Sequence, residues 1–348
     1  MSQPRGCATS LPEPYFHWDA PRDTRYMREV DGLDGLLHIF QQDWVGIRAA
    51  AGSWPGRKLA LQSEKRLPRG ELTKLVHAIS NANPTRIIVQ GMSDCMAQLV
   101  DELAAQGLQD RLFVVFHGIP PQWCDEPEIR YAYKCLELAN TGKIRRLHVM
   151  QAGFAFPCTR LFQPMLFNLS PCLTNEALAA PASADVIGAL VPGWVGWRKN
   201  IHTNALGAAL CCGIDEVWAF GRNLTLPPPL SAKLKIVPFD GRERALALMR
   251  ASSVVMNVSL VDCHPMVNIE AQTVGTPCVR GALFLDALEH HPYVHLTEVR
   301  DMSSAAAIRR AVERVLEVPA AERRELTCDY QQMSDQVAIQ RYREFLEI

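Results

Sequence analysis

The sequence predicts an α/β fold: two Rossmann-like doubly wound domains facing each other across a cleft. Three observations predict it. Short β-branched runs alternate with helix-patterned segments, the mark of parallel sheets covered on both faces. The alternation halts at residues 175–184 (NEALAAPASA) and then restarts. The chain, at 348 residues, also exceeds the roughly 250–300 residues at which a single core stops growing.

The first unit reads as strands at Arg57–Leu61, Arg86–Gln90, Arg111–Phe116, Arg146–Met150 and Pro164–Asn168. Helices are expected at Glu71–Ser80, where Leu72, Leu75, Val76 and Ile79 recur at helical spacing, and at Met96–Gln106. After the break, strands are expected at Val186–Leu190, Glu216–Phe220, Lys235–Val237, Ser253–Val258 and Thr276–Arg280. Helices are expected at Ile201–Leu210, Arg244–Arg250, Pro265–Val274, Ser304–Leu316 and Tyr330–Leu346; Pro265 suits a first turn and Gly275 a stop. The domain reading is 1–178, 179–328, and a final helix over 329–348.

Composition narrows the function. Hydrophobic residues are 48% and charged residues 21%, so disorder, collagen and coiled coil are excluded. The net charge of −1 gives no overall basic field for nucleic acid. Eleven scattered cysteines without a CxxC pair read as reduced thiols in a cytoplasmic protein, with no zinc spacing. The N-terminus lacks a signal-peptide core, and Leu161–Asn175, the longest uncharged stretch, is interrupted by Pro164 and Pro171 and too short to span a bilayer. No GxGxxG after a strand, no P-loop, no GxSxG and no HExxH is present, which disfavours nicotinamide enzymes, P-loop kinases, α/β-hydrolases and zincins.

The informative stretch is residues 257–279, NVSLVDCHPMVNIEAQTVGTPCV. It reads strand, loop, helix, Gly-Thr-Pro, strand. Asp262 lies in the loop and Glu270 inside the helix, so two carboxylates can face one ligand. The amides of Met266 and Val267 open the helix, where an anionic phosphate is favoured.

This segment resembles the E-x7-E block of retaining GT-B glycosyltransferases, family 4 in particular, with Asp262 in place of the first Glu, Glu270 at the second, and Gly275-Thr276-Pro277 as the trailing motif. Residues 192–201 (PGWVGWRKNI) resemble the same family's GR-x4-KG/N segment. Lys199 and Asn200 align, Trp194 stands where the family has Arg, and Arg198 offers a nearby charge. His117, after a strand, falls where the family often has a sugar-facing His, and the last helix matches one that crosses back onto the first domain.

The resemblance implies transfer of a sugar from a nucleotide-diphosphate sugar, UDP-sugar among them, with retention and without a metal or other cofactor. Lys199, Arg198, His264 and the Met266 and Val267 amides would hold the donor, its ribose resting on Glu270. Asp262 and His117 would serve the sugar. Cys263 and Pro265 replace glycines of the family's loop. The acceptor, a glycan, a small molecule or modified DNA bases, stays open, as does a nucleotide-binding module that has lost catalysis. The bland readings also stand: Asp262 as a helix cap, His117 as a core histidine, His290-His291 and Lys143–Arg146 as solvated surface.

Overall fold

A computed structural model describes residues 15–151, 153–173, 186–193, 196–220 and 223–348. The 175–184 break and Trp194 lie outside them.

The first sheet comprises β1 (Phe16–Trp18), β2 (Leu36–Gln41), β3 (Arg57–Leu61), β4 (Arg86–Gln90), β5 (Leu112–Phe116) and β6 (Arg146–Val149), in the order β1-β3-β2-β4-β5-β6. All neighbours run parallel except β1, which is antiparallel to β3. Its helices are α1 (Pro21–Thr24), α2 (Val45–Ser53), α3 (Arg69–Ala82), α4 (Asp94–Ala105) and α5 (Glu126–Asn140). The second sheet comprises β7 (Gly188–Val191), β8 (Glu216–Ala219), β9 (Leu234–Ile236), β10 (Val254–Asn257), β11 (Cys278–Gly281) and β12 (Glu298–Val299). It is parallel throughout, in the order β12-β11-β10-β7-β8-β9. Around it stand α6 (Ile201–Leu210), α7 (Arg242–Ala251), α8 (Met266–Thr273), α9 (Pro292–Thr297) and α10 (Ala305–Glu317), and α11 (Ala320–Leu346) closes the chain.

The central parallel strands are buried on both faces because helices cover both sides. Strict apolar–polar alternation is therefore absent; β4 and β5 are apolar almost throughout, and separate clusters form on the two faces of each sheet. Strand order reverses between β2 and β4 in the first sheet and between β7 and β10 in the second. In open α/β sheets, ligands bind at such switch points, beyond the strand C-termini.

Helix α11 returns to the first sheet. Tyr342 stacks on Trp54 with centroids 3.8 Å apart, Phe345 meets Phe113 edge-on, and Glu347 is held by Arg145 and Arg146. The basic run 143–146 is thus occupied in holding the chain end, with Lys143 paired to Asp101. The expected strand over Pro164–Asn168 does not form. The amides of Leu166 and Asn168 donate to the rings of His148 and His264 instead of to a neighbouring strand.

Candidate functional site

At the second switch point, two loops are fastened together before any charged side chain enters. Asn200 adopts a left-handed backbone conformation, which Asn tolerates better than most residues. Its amide donates to Val258 O and, at 2.6 Å, to Met302 O. Asn204, one helical turn on, accepts from Val258 N at 2.9 Å and donates to Val258 O and Asn200 O. Leu260 N donates to Arg198 O at 2.8 Å. With the 196–200 and 258–262 segments tied in this way, Lys199 Nζ reaches Asp262 Oδ2 at 2.7 Å.

Beyond Asp262 the chain turns into α8. Pro265 stands at the N-cap and supplies no side-chain acceptor, so the first amides of the helix, those of Met266 and Val267, lack intrahelical partners. The Met266 side chain packs with Ala50 and Ile269, between α8 and α2. One turn further, Glu270 is 8% exposed, and its Oε1 accepts from Arg242 Nε of α7 at 2.7 Å. The Arg242 guanidinium lies 4.3 Å from the ring centre of Tyr26; Tyr26 crosses from the N-terminal segment into the core of the second unit, beside an Arg25–Glu243 ion pair. Burial pushes the Glu270 carboxyl up, and Arg242 opposes that shift by charge and hydrogen bond.

His264 is placed differently from the other expected donor residues. Its ring is buried; Nδ1 accepts from Asn168 N at 2.9 Å, and Asn168 donates from its side chain to His264 O at 2.6 Å. Burial, aided by the Arg280 charge, drives its pKa down to about 3. A neutral ring locked in this way fastens the loop before α8 to the 165–170 segment.

Facing this from the first sheet, His117 follows β5. Its Nε2 lies 2.9 Å from Gln90 Oε1 at the end of β4, which makes Nε2 the protonated nitrogen. Burial lowers its pKa to about 3, with His148 adding to the effect, so the imidazole is neutral near pH 7. The same opening holds Glu128 at the start of α5. A Cβ on Gly118 would come within 2.5 Å of its Oε2. Burial raises the Glu128 carboxyl, and Arg198 is the largest opposing charge; Arg198 thereby faces the first unit, whereas Lys199 faces Asp262.

The structure therefore joins Lys199 to Asp262 directly, places Glu270 one turn into the helix that follows Asp262, and sets His117 after a strand of the other sheet. Sequence reasoning missed Arg242, Asn204, Gln90 and Glu128. None carries a local motif, and each reaches the opening only through the topology. Among the described residues, no group of three or more His, Cys, Asp or Glu is arranged to hold a metal ion, and no helix is long and apolar enough to cross a membrane.

No family sequence model matches the chain, and no curated protein matches it. Solved structures do. An α,α-trehalose-phosphate synthase (UDP-forming) from Burkholderia xenovorans, in complex with glucose-6-phosphate, aligns with TM-score 0.58 at 10% identity, over 90% of this chain and 100% of that one. The E. coli trehalose-6-phosphate structure bound with UDP-2-fluoro glucose gives 0.56 at 11%, over 90% and 99%. Sucrose-phosphate synthase from Thermosynechococcus elongatus gives 0.55 at 15%, over 90% and 98%. At these identities the likeness is one of architecture: the chain has the two-domain GT-B fold, with a last helix that crosses back onto the first sheet.

Proposed function

We propose that this protein is a glycosyltransferase that takes a sugar from a nucleotide-diphosphate sugar. The observation that carries the reading is the second switch point, where Lys199, Asp262 and the open amides of α8 converge ahead of Glu270. A nucleoside diphosphate gains negative charge as its bond to the sugar breaks. Fixed donors stabilise that charge without reorganising. Lys199 and the Met266 and Val267 amides supply them, with Arg198 at the mouth, and this electrostatic set does the work without calling on a metal. Glu270 Oε1 is engaged by Arg242; Oε2 is the atom that would accept from the ribose hydroxyls. Asp262 would hold sugar hydroxyls, and neutral His117 would donate or accept toward the sugar or acceptor from the opposite side. Retention follows the family 4 resemblance of residues 257–279. The named ligands of the neighbours, UDP-2-fluoro glucose and glucose-6-phosphate, support a UDP-sugar donor and a small sugar acceptor over DNA.

A thermal-shift panel of UDP, GDP, ADP, CMP and their sugar conjugates tests the reading, with Glu270→Ala as control. Ligand at about 100 times its dissociation constant adds roughly 2.7 kcal/mol to stability. One nucleotide raising the melting temperature of the wild type by a few degrees, and of the variant by much less, is the expected result. No shift with any nucleotide contradicts it. A nucleotide shift without sugar transfer to any acceptor selects the binding-module alternative.

A further inference from the structure

Strand β11 carries a charge that the donor site described above does not use. Arg280 is 2% exposed, and among the described residues no carboxylate pairs with it. Its neighbour in register on β12, Glu298, pairs with Arg300 at 3.5 Å. Nε is sealed from solvent and has no hydrogen-bond partner. The ring of Tyr330 lies 5.6 Å from the guanidinium carbon. Burying a cation without an anion is costly, and native proteins rarely leave it so.

The position of Arg280 in the sheet says which anion would reach it. Side chains alternate along a strand, so Arg280 shares a face with Cys278. Cys278 Sγ lies 3.3 Å from Asn268 Oδ1, in the first turn of α8. Two residues further along, the strand has risen roughly 6–7 Å toward its C-terminal edge, which carries Arg280 to the level where α8 begins. The register agrees: Arg280 lies level with Asn257 of β10, whose side-chain amide donates to Asn268 Oδ1 in the first turn of α8. A second buried donor waits on the same face. Asn268 is 1% exposed, and its Nδ2 has no partner while Oδ1 accepts from Asn257.

We infer that Arg280 and Asn268, together with the open amides of Met266 and Val267, form an oxyanion site at the start of α8 that takes a phosphate oxygen of the nucleotide-diphosphate donor. The inference rests on the glycosyltransferase reading and extends it to residues outside the motif. Arg280 would bring a planar fork suited to phosphate, held in place before the ligand arrives.

Calorimetric titration of the full chain and of R280M tests it, at constant ionic strength. The probes are inorganic pyrophosphate, glucose 6-phosphate, and the nucleoside diphosphate chosen by the thermal-shift panel with its monophosphate. Pyrophosphate and diphosphate affinity should weaken about tenfold or more in R280M, as for loss of a charge-assisted hydrogen bond. The ligand-free variant should melt at or above the wild-type temperature, because an uncompensated buried charge has gone. A variant that melts far lower yet keeps its diphosphate affinity overturns the inference and makes Arg280 a structural cation. Should R280M not fold, R280Q decides: an unchanged affinity gap between diphosphate and monophosphate overturns it equally. Loss confined to glucose 6-phosphate overturns the donor assignment and moves the oxyanion to the acceptor. Wild type that binds neither pyrophosphate nor any nucleotide sinks the glycosyltransferase reading itself, whereas nucleotide binding that R280M leaves intact sinks only this inference.

Discussion

Lys199 and Asp262 neutralise each other across 2.7 Å, so a phosphate that enters must share or capture the lysine. Asp262→Asn releases Lys199 from that competition. It should leave nucleotide affinity equal or stronger and cut sugar transfer by about tenfold or more, the scale of one misplaced polar contact in a transition state. Affinity and turnover falling in parallel would count against the separate roles. Glu270 gives a pH test. Burial raises its carboxyl pKa and Arg242 lowers it, so removing the arginine must raise it further. Ribose binding that needs the ionised carboxylate is lost as pH falls through that pKa; in Arg242→Gln the loss should begin at higher pH than in wild type, and superimposable pH profiles would refute the coupling. The motif made Lys199, Asp262 and Glu270 legible in the sequence. Arg242 and Tyr26 were not, because a guanidinium stacked on a tyrosine from the other end of the chain leaves no local pattern.

At the level of elements, the register of the two loops depends on Asn204, which both donates to and accepts from the backbone of Val258. Asn204→Ala should cost about 1–3 kcal/mol, the penalty for stranding buried backbone groups, and should loosen the Lys199–Asp262 pair. Chemical denaturation alongside nucleotide titration measures both effects. Strands such as Arg86–Gln90 were readable because burial on both faces leaves an unbroken apolar run. Pro164–Asn168 has the same apolar look, yet its amides are claimed by His148 and His264, contacts between distant residues that no window of sequence displays. Helix α11 begins ten residues before the expected Tyr330, at Ala320, because its first turns are highly charged and give little apolar periodicity. Its far end is anchored by Tyr342 against Trp54. Tyr342→Ala should therefore destabilise the protein by about 3–5 kcal/mol, as aromatic deletions in cores do; a change under about 1 kcal/mol in urea would show that α11 is not integral to the first unit.

Across the whole molecule, the two-sheet architecture was legible from alternation and length, whereas the approach of the sheets was not, since it is made by α11, Tyr26 and the Asn168–His264 clasp. Neutral histidines concentrate along that seam. His117 and His264 are held at about 3, His148 at about 4, and His38 well below the ordinary value, all mainly by burial. Each has a folded pKa beneath its unfolded value of 6.5, so between those values the unfolded chain binds more protons. Stability must then rise with pH through that window and fall as pH drops below about 6.5, by up to about 1.4 kcal/mol per pH unit for each histidine. Urea midpoints should be lower at about pH 5 than at about pH 7, and equal midpoints would contradict the buried-neutral assignment.

The central claim is that a nucleotide diphosphate binds at the reversal of strand order between β7 and β10. Its most direct test is calorimetric titration of a nucleoside diphosphate and its monophosphate onto wild type and Lys199→Met. The account predicts that wild type prefers the diphosphate by about tenfold or more, the value of a charge-assisted contact, and that the preference collapses in the variant. A diphosphate that fails to bind, or a preference that survives loss of Lys199, would contradict it.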